Sequence, residues 1–441
     1  MKFKSMKKNK FYLLNLVTIF IIIFIAIAPN IISQNKTLLN TAHLDHLYEK
    51  INVNGKSMGI IHIYSDFPNY NFVEAKGEGI ACVDDAARAM IFYIRYYEIY
   101  PDKAVFDKIE NLSNFLLYMQ AKNGFFYNFI WKDYTIDSTY KTSVAEPNWW
   151  TWRAIWALSE AQKFFLEHNS ITTHKIVTPL KRAVSVTLKW LALNRKMKYK
   201  NFGGFEIPAW LPQKYAADQA AILVKGLAVY YEITKDKRVK NEIKNLSDGI
   251  VKMQVGNSKQ PPYYVFLSWR NSWHQWGNSQ ADALIDVSYL FHDRSYLKYA
   301  DREVKYFYPY LLNNGFFNDF VLVNDNNNIV IKKLHKYSQI AYGIRPMVWA
   351  SIGLYKMTKD TSAAIIAGKI ASWLLGNNIA GTQMYSPKNG ITFDGIISKN
   401  EINKNSGAES TIEALLTIID VEQNPIAKKI LWNYYNKHSA K

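Results

Sequence analysis

Apolar residues recur along this chain at the spacing of amphipathic helices. Between residues 82 and 100, one helical face collects Ala86, Met90, Tyr93, Ile94 and Tyr97. The same pattern predicts helices at about 82–100, 147–167, 215–234, 278–292, 338–358 and 408–420. A second helix follows each of these, at about 102–121, 176–194, 238–255, 294–312, 361–375 and 425–437. The chain is therefore predicted to be all-α and built from helical hairpins.

The hairpins repeat with a long and nearly constant period. Steps of 66, 68, 64, 60 and 67 residues separate the positions that mark the first helix of each hairpin, which are Asp84, Trp150, Asp218, Asp282, Tyr342 and Glu409. This period is longer than common helical-solenoid repeats, and the loops before the first helices are long and aromatic. The last hairpin is strongly apolar, whereas an open array would need a polar cap. We therefore predict a closed double ring of six hairpins rather than an open solenoid.

The N-terminal segment has the layout of a targeting signal. Lysine-rich residues 1–10 precede an apolar stretch from Phe11 to Ala28, interrupted only by Asn15 and Thr18. This layout is shared by export signals and membrane anchors, and the sequence leaves both possibilities open. We expect a signal or membrane anchor at 1–35, a lead-in segment at 36–74 and a catalytic ring at 75–441. The ring would then act outside the cytoplasm, secreted or anchored to the membrane.

Composition limits the remaining function classes. Hydrophobic residues make up 49% of the chain and charged residues 20%, which excludes a disordered protein. The net charge is +18, but the lysines are scattered without a dense basic run, so we expect no nucleic-acid partner. The single cysteine, Cys82, cannot form a disulfide within the chain. Phosphate-binding loops, dinucleotide fingerprints and zinc motifs are missing, so we expect no cofactor and no metal.

Carboxylates concentrate at the starts of the first helices. Asp84 and Asp85 follow a glycine-rich turn, and Glu409 and Glu413 lie one turn apart on an otherwise apolar helix. Asp218 and Asp282 mark two further helix starts. Helix dipoles and capping explain part of this pattern, and Ser406 with Glu409 fits a capping box. Buried carboxyls also make good general acids, so we predict that the catalytic residues come from Glu409, Asp84, Asp85, Asp218, Asp282 and Glu413.

Aromatic and polar side chains cluster in the same loops. Indole faces can stack on the apolar faces of sugar rings, although packing between helices also uses tryptophan. The predicted substrate-binding residues are Trp149, Trp150, Trp210, Trp273, His274, Trp276, Tyr342, Arg345 and Asp394. Asp394 belongs to a glycine-rich loop just upstream of Glu409.

The chain resembles the six-hairpin glycosidase superfamily in its six-hairpin architecture and in two stretches of sequence, Val83–Ala89 and Asn405–Leu415. The resemblance covers roughly residues 75–437 and implies an (α/α)6 toroid. It also implies a carbohydrate-active enzyme, because the superfamily includes inverting hydrolases, unsaturated uronyl hydrolases, polysaccharide lyases and sugar epimerases. Inverting endoglucanases of this fold place an aspartate pair near the first inner helix and an acid glutamate near the last. Asp84, Asp85 and Glu409 hold those stations here, but the residues around Glu409 depart from the endoglucanase motif, which leaves Glu413 as a rival acid.

We therefore expect an exported, monomeric inverting glycoside hydrolase that acts on a polysaccharide or oligosaccharide. Glu409 would be the acid and Asp84 or Asp85 the base. One alternative is a lyase or epimerase on the same ring, in which Tyr342, His274 or Arg345 acts on an acidic sugar. The other is a non-catalytic protein of the cell envelope that binds glycans.

Overall fold

The computed structural model describes residues 37–326 and 328–438, and the chain from Leu39 onward forms one compact unit. The predicted targeting stretch from Phe11 to Ala28 lies outside the described residues. None of the helices built from the described residues combines the length and hydrophobicity that crossing a bilayer requires. The lead-in boundary at residue 74 stays a prediction.

Six inner helices close into a ring. They are α2 (Val83–Ile99), α4 (Trp149–Glu167), α6 (Ala217–Thr234), α8 (Gln280–Phe291), α11 (Arg345–Thr358) and α13 (Ala408–Glu422), after a short α1 (Ala42–Leu47). Each inner helix contacts the next, and α13 contacts α2 again. The contacts confirm the predicted closed ring. Because residues near the starts of different inner helices contact each other, all six run in the same direction.

The outer helices pack around this ring. They are α3 (Lys103–Tyr118), α5 (Thr172–Asn194), α7 (Lys237–Lys252), α9 (Arg294–Arg302) with α10 (Tyr308–Asn314), α12 (Thr361–Ala371) and α14 (Pro425–His438). Four of them begin at an aspartate whose side chain accepts a backbone N–H two residues on, namely Asp102, Asp236, Asp293 and Asp360. These caps satisfy backbone donors that a helix start leaves free and fix where each outer helix begins.

The fifth inner helix begins later than the periodicity predicts. The sequence places its start near residue 338, but α11 begins at Arg345 and a 3-10 turn, Ala341–Gly343, precedes it. Pro346 has no backbone N–H to give to a preceding turn, so it fits only the first turn of a helix. Tyr342 therefore lies on the 3-10 turn, just before the helix that it was expected to open.

Short hairpins fill the loops between helices, and most of them are not predicted from the sequence. The strands are β1 (Tyr48–Val53), β2 (Lys56–Ile61), β3 (Tyr64–Asp66), β4 (Asn71–Val73), β5 (Ala81–Cys82), β6 (Phe129–Ile130), β7 (Tyr199–Phe202), β8 (Phe205–Pro208), β9 (Gln254–Val255), β10 (Val265–Phe266), β11 (Ser272–His274), β12 (Asp319–Asp325), β13 (Asn328–His335), β14 (Gly395–Ser398) and β15 (Glu401–Asn403). Most pair as antiparallel hairpins, and β11–β12–β13 form a three-stranded sheet. Several of these strands immediately precede inner helices, so they shape one end of the ring.

A buried carboxyl between α9 and α10 makes the stability of the fold depend on pH. Glu303 accepts a hydrogen bond from the backbone N–H of Phe266 (2.9 Å) and one from the hydroxyl of Tyr308 (3.2 Å). Among the described residues, no cation lies within ion-pair distance of Glu303. Burial therefore raises the pKa of Glu303 to about 8. The folded protein holds this proton more tightly than the unfolded chain, so stability is lost as the pH rises from about 4.5 to about 8.

We expect Glu303→Gln to remove this loss. The amide resembles the protonated carboxyl, so urea unfolding should give nearly equal stability for the two proteins near pH 4. Near pH 9 the variant should be more stable by roughly 1–4 kcal/mol, because wild-type Glu303 must then ionise without a partner. A difference of the same size at both pH values would contradict this explanation.

Candidate active site

We call the end of the ring where the inner helices begin the N-terminal mouth. A cavity of about 320 Å³ opens there. Its walls come from the first inner helix, the last inner helix and the loops beside them. The polar residues that line it include Tyr64, Glu78, Asp84, Asp85, Arg88, Asn128, Asp394, Glu409 and Ser410. The cavity therefore brings together four of the carboxylates predicted from the sequence, Asp84, Asp85, Asp394 and Glu409.

The glycine-rich turn before α2 positions the two aspartates. Gly79 has φ +63°, and a Cβ atom built on it would lie 1.9 Å from the carbonyl oxygen of Ile130. Only glycine fits there, and this close approach lets β5 pair with β6 directly before α2 begins. At the start of α2, the Cys82 sulfur accepts the backbone N–H of Asp85 (3.4 Å). The turn therefore fixes the orientation of the first helical turn, which carries both aspartates.

Three carboxylates share Arg88 beneath the cavity. Its guanidinium contacts Asp85 (2.8 Å), Glu409 (2.6 Å) and Glu413 (3.1 Å), and Glu413 also accepts from Arg345. We call these five residues the arginine–carboxylate cluster. The Glu409 side chain is 42% exposed, whereas that of Glu413 is fully buried. Glu409 is thus the member of the cluster that is most exposed to a ligand in the cavity.

The cluster holds three carboxylates against two guanidinium groups, so one negative charge is in excess. Burial raises the pKa of Asp85 to about 6 although Arg88 opposes this effect, and the charge of Glu409 adds to the increase. Protonation of one carboxyl relieves the excess charge of the whole cluster, because interacting groups titrate together. Asp85 can therefore carry a proton in mildly acidic solution.

Asp84 belongs to a separate polar chain. Its Oδ1 accepts a hydrogen bond from Arg153 (2.7 Å), and Arg153 also donates to the hydroxyl of Tyr342 (2.8 Å). The guanidinium of Arg153 lies 5.0 Å from the ring of Trp149. The Asp84 side chain is 20% exposed, so this carboxylate is both held by a cation and open to the cavity. Its environment thus differs from that of the arginine–carboxylate cluster.

Asp394 contacts the start of the last inner helix. Its Oδ1 accepts the backbone N–H of Gly407 (2.8 Å) and the hydroxyl of Ser410. Burial raises the pKa of Asp394, and the charge of Glu409 adds to this effect. The capping box proposed for Ser406 is wrong, because Gly407 is the capping residue and the Ser406 hydroxyl accepts the backbone N–H of Thr392 instead.

The aromatic loop before α8 forms a second polar group. His274 lies 3.1 Å from Asp218 and stacks on Trp276 with ring centroids 4.2 Å apart. The same loop reaches the Tyr342 turn, since the side chain of Asn278 donates to the carbonyl oxygen of Gly343 (3.0 Å). Trp276 is 39% exposed. Asp218, His274 and Trp276 therefore lie together next to Tyr342, but they do not line the 320 Å³ cavity.

Five of the predicted site residues have side chains that are buried or that face away from this mouth. Glu413 and Arg345 are buried in the arginine–carboxylate cluster, behind Glu409. Trp150 is buried and donates to the carbonyl oxygen of Phe126, and Trp273 is buried against the ring of Phe320. Asp282 pairs with the buried Lys225 (2.8 Å) and faces the opposite end of the ring.

The remaining predicted residues lie at the edge of the ring or on its axis. Trp210 is partly buried and donates to the carbonyl oxygen of Asn245 on an outer helix (3.3 Å), which explains its place without a ligand. Tyr342 lies on the axis, where the guanidinium groups of Arg88 and Arg153 are 5.0 and 5.3 Å from its ring centre. Tyr342 is itself buried, so it closes the bottom of the mouth.

A layer of aromatic rings closes the axis beyond Tyr342. Trp156 and Trp349 meet edge to face with centroids 6.1 Å apart, and Arg95 lies over Trp349 at 4.0 Å. A separate cavity of about 450 Å³ opens on the far side of these rings, where the inner helices end. Its charged groups pair across neighbouring helices, for example Arg95 with Asp420. The ring therefore has two mouths divided by a packed centre.

Several residues of the cavity were not predicted from the sequence, and Tyr64 and Glu78 are two of them. The hydroxyl of Tyr64 donates to Glu78, and both side chains line the cavity. The turn Gly77-Glu78-Gly79 was the available signal, since it places a carboxylate between two glycines. In the part of the chain that the structure describes, no three His, Cys, Asp or Glu side chains are grouped as metal ligands would be.

We expect the buried and exposed glutamates of the cluster to differ in their effect on stability. Glu413→Gln leaves Arg345 without its carboxylate in the interior, which should lower the free energy of unfolding by roughly 3–5 kcal/mol. Glu409→Gln removes a charge on a side chain that is 42% exposed, and it should change the free energy of unfolding by less than about 1 kcal/mol. Urea unfolding of both variants tests this difference, and equal losses would contradict the assigned burial.

Solved structures of low sequence identity share this architecture. A sugar epimerase from a ruminal bacterium matches with a TM-score of 0.58 and 10% identity, over 88% of this chain and 96% of the other. Cellobiose 2-epimerase from Bacillus thermoamylovorans matches with a TM-score of 0.54 and 13% identity, over 87% and 96%. A family 76 glycoside hydrolase from a bovine Bacteroides thetaiotaomicron strain matches with a TM-score of 0.53 and 10% identity, over 90% and 78%.

No protein-family model and no curated protein matches the chain. At 10–13% identity the structural likeness is evidence for the fold alone. The sequence resemblance, the closed ring and these neighbours agree. The chain has an (α/α)6 toroid fold, which it shares with these solved structures.

Proposed function

We propose that this chain is a glycoside hydrolase that works by inversion in the N-terminal mouth. The observation that carries the proposal is the gathering of carboxylates in contrasting environments around one cavity. Asp84 is held by Arg153, while Glu409 shares Arg88 with Asp85, whose pKa burial raises to about 6. Glycoside hydrolysis needs one protonated and one ionised carboxyl across the sugar, and contrasting environments are how proteins provide them.

In this proposal Glu409 is the general acid. It gives its proton to the glycosidic oxygen, which leaves with the electron pair of the broken C–O bond. Glu409 suits this role because it is the most exposed carboxylate of the arginine–carboxylate cluster and lines the cavity. Asp394 is the rival acid, since it also lines the cavity and burial raises its pKa.

Asp84 is the general base. It takes a proton from a water molecule whose oxygen attacks the anomeric carbon on the face opposite to the departing oxygen. The hydrogen bond from Arg153 orients Asp84. Trp149, which packs against Arg153, is positioned to offer an aromatic face to a sugar ring at this edge. Asp85 acts through Arg88 as a positioning residue, because its oxygens are occupied by Arg88 and Cys82.

The test is a screen of the purified protein against neutral and acidic polysaccharides for new reducing ends. The proposal expects product from at least one polysaccharide and none from the double variant with Asp84→Asn and Glu409→Gln. A product that absorbs near-ultraviolet light would instead indicate a lyase. Tight glycan binding without any product would indicate a binding protein.

An epimerase is the second candidate, and one observation favours it. Epimerisation next to a carbonyl needs a base that removes a proton from carbon, and the Asp218–His274 pair stacked on Trp276 offers an oriented imidazole. Two of the structural neighbours are described as epimerases. Incubation of free disaccharides in deuterated water separates the candidates, since an epimerase incorporates deuterium without a change in chain length.

We expect the rate of hydrolysis to fall as the pH rises through about 6. Burial raises the pKa of Asp85 to about 6, so its carboxyl is protonated below that pH and negatively charged above it. The charged Asp85 competes with Glu409 for Arg88, so Glu409 is held less firmly above that pH. The pH dependence of kcat/KM measures this, and Asp85→Asn should remove the inflection near pH 6. An inflection that is unchanged in the variant would exclude Asp85 as its source.

We also propose that the chain acts outside the cytoplasm as a monomer. The support is the sequence pattern of lysine-rich residues 1–10 followed by the apolar stretch from Phe11 to Ala28. Fractionation of cells that express the whole chain should recover it from the membrane or the medium. Recovery from the cytoplasm alone would contradict the proposal.

A further inference from the structure

A basic and aromatic patch lies on the rim of the N-terminal mouth. We call it the rim patch, and it consists of Lys200, Phe202, Lys214, Tyr215, Trp269 and Arg270. Phe202 and Tyr215 meet edge to face with centroids 4.8 Å apart. Trp269 is 38% exposed. Neither the acid and base assignments nor the stability of the ring accounts for this patch.

Arg270 is the centre of the rim patch. Its guanidinium carbon lies 3.9 Å from the centre of the Trp269 ring and 5.2 Å from that of Phe202. Stacking uses the flat faces of a guanidinium and leaves its in-plane N–H donors free. In the described part of the chain, no carboxylate lies within ion-pair distance of Arg270. An oriented guanidinium fork is thus presented to solvent without a partner of its own.

The backbone that carries the rim patch is held in an unfavourable conformation. Gln213, Lys214 and Tyr215 are three consecutive residues with positive φ (49°, 48° and 77°), and Arg270 has φ +52°. Such angles disfavour side chains other than glycine and persist where the surroundings enforce them, often at ligand sites. Here the indole N–H of Trp269 donates to the carbonyl oxygen of Lys214 (3.2 Å) and locks the two segments together.

The position of the patch connects it to the mouth. Trp269 forms a β-bridge with Ala216, directly before α6, and the backbone N–H of Asp218 donates to the carbonyl oxygen of Ser268 (3.1 Å). On the other side, the Gln213 side chain donates to the carbonyl oxygen of Pro147, next to the start of α4. A glycan that extends from the cavity along this rim would meet the patch.

We infer that the rim patch is a subsite for an anionic sugar residue, and that its ligand group is the carboxylate of a uronic acid. A guanidinium fork matches a planar carboxylate with two parallel hydrogen bonds. Lys200 and Lys214 add positive charge, and the aromatic rings offer apolar contact to the sugar C–H groups. The inference rests on the proposed function in taking the bound glycan to be the substrate, and it names that substrate as an acidic polysaccharide.

The experiment measures binding separately from turnover. Affinity electrophoresis is run with the full chain in gels that contain polygalacturonate, alginate or hyaluronan, and in gels that contain their carboxyl-reduced forms. At least one acidic polysaccharide should retard the protein, and its carboxyl-reduced form should not. Arg270→Gln should weaken binding at least about tenfold, and Arg270→Lys should weaken it less, because it keeps the charge but loses the fork.

Arg302→Gln is the matched control. Arg302 also stacks on aromatic rings, those of Tyr264 and Tyr299, but it lies at the end of an outer helix. The inference is overturned if no acidic polysaccharide retards the protein, if Arg302→Gln weakens binding as much as Arg270→Gln, or if dextran sulfate binds as tightly as the uronates. Binding of an acidic polysaccharide without the release of new reducing ends would contradict the hydrolase proposal and leave the subsite standing. Cleavage of neutral glycans only would contradict the subsite and leave the hydrolase proposal standing.

Discussion

Glu409→Gln is expected to lower kcat on natural glycosides by about 10²–10⁴-fold, because the amide has no proton to give to the leaving oxygen. Aryl glycosides whose phenol leaves without protonation should keep most of their rate in the same variant. This contrast identifies an acid, since a binding or structural role would slow both substrates alike. The measurement is kcat for a series of aryl glycosides of the sugar that the screen identifies.

Asp394→Asn is the control for this assignment. Asp394 lines the same cavity and contacts the start of α13, but in our account it organises the helix start and does not protonate the substrate. The Asp394→Asn variant should therefore not regain its rate selectively on aryl glycosides with good leaving groups. If Asp394→Asn shows that selective recovery and Glu409→Gln does not, the acid is Asp394.

Asp84→Asn is expected to lower kcat by a similar factor of about 10²–10⁴ for every leaving group. The reason is that water must still lose a proton as it attacks, whatever group departs. Thermal unfolding should remain close to that of the wild type, because the carboxylate is partly exposed and the amide can still accept from Arg153. Selective recovery with good leaving groups in this variant would contradict its role as base.

The sequence predicts the ring well because the ring is built from local pattern. Apolar spacing along each inner helix depends only on nearby residues, so five inner helices begin within two residues of their predicted starts. The late start of α11 depends on Pro346 and on the Tyr342 turn, which the apolar period does not distinguish from helix. Two-residue strands such as β5 and β6 are too short to show an alternation of apolar and polar residues, so the sequence does not predict most of the hairpins.

The site was predictable only in part, because side-chain partners come from distant positions. The sequence places Asp84 and Glu409 at helix starts, but Arg88 and Glu409 are 321 residues apart, and nothing local indicates that they pair. Periodicity shows which face of its helix a residue occupies, but it does not show how far along the axis of the ring the residue lies. For this reason the sequence groups Asp282, which lies in the first turn of the short helix α8, with the other helix-start carboxylates, although it lines the opposite mouth. Trp273 and Trp276 lie in the same aromatic stretch of sequence, yet Trp273 is buried and Trp276 is exposed.

The most direct test of the account is a crystal structure of Glu409→Gln with an oligosaccharide of the glycan that the wild type cleaves. We expect the sugar in the N-terminal mouth, with the glycosidic oxygen beside residue 409 and a water molecule between the anomeric carbon and Asp84. The separation of the two carboxyl positions should fall in the range of about 6.5–9.5 Å that inversion requires. A sugar bound in the opposite mouth, or one that Asp84 cannot reach through water, would contradict the account.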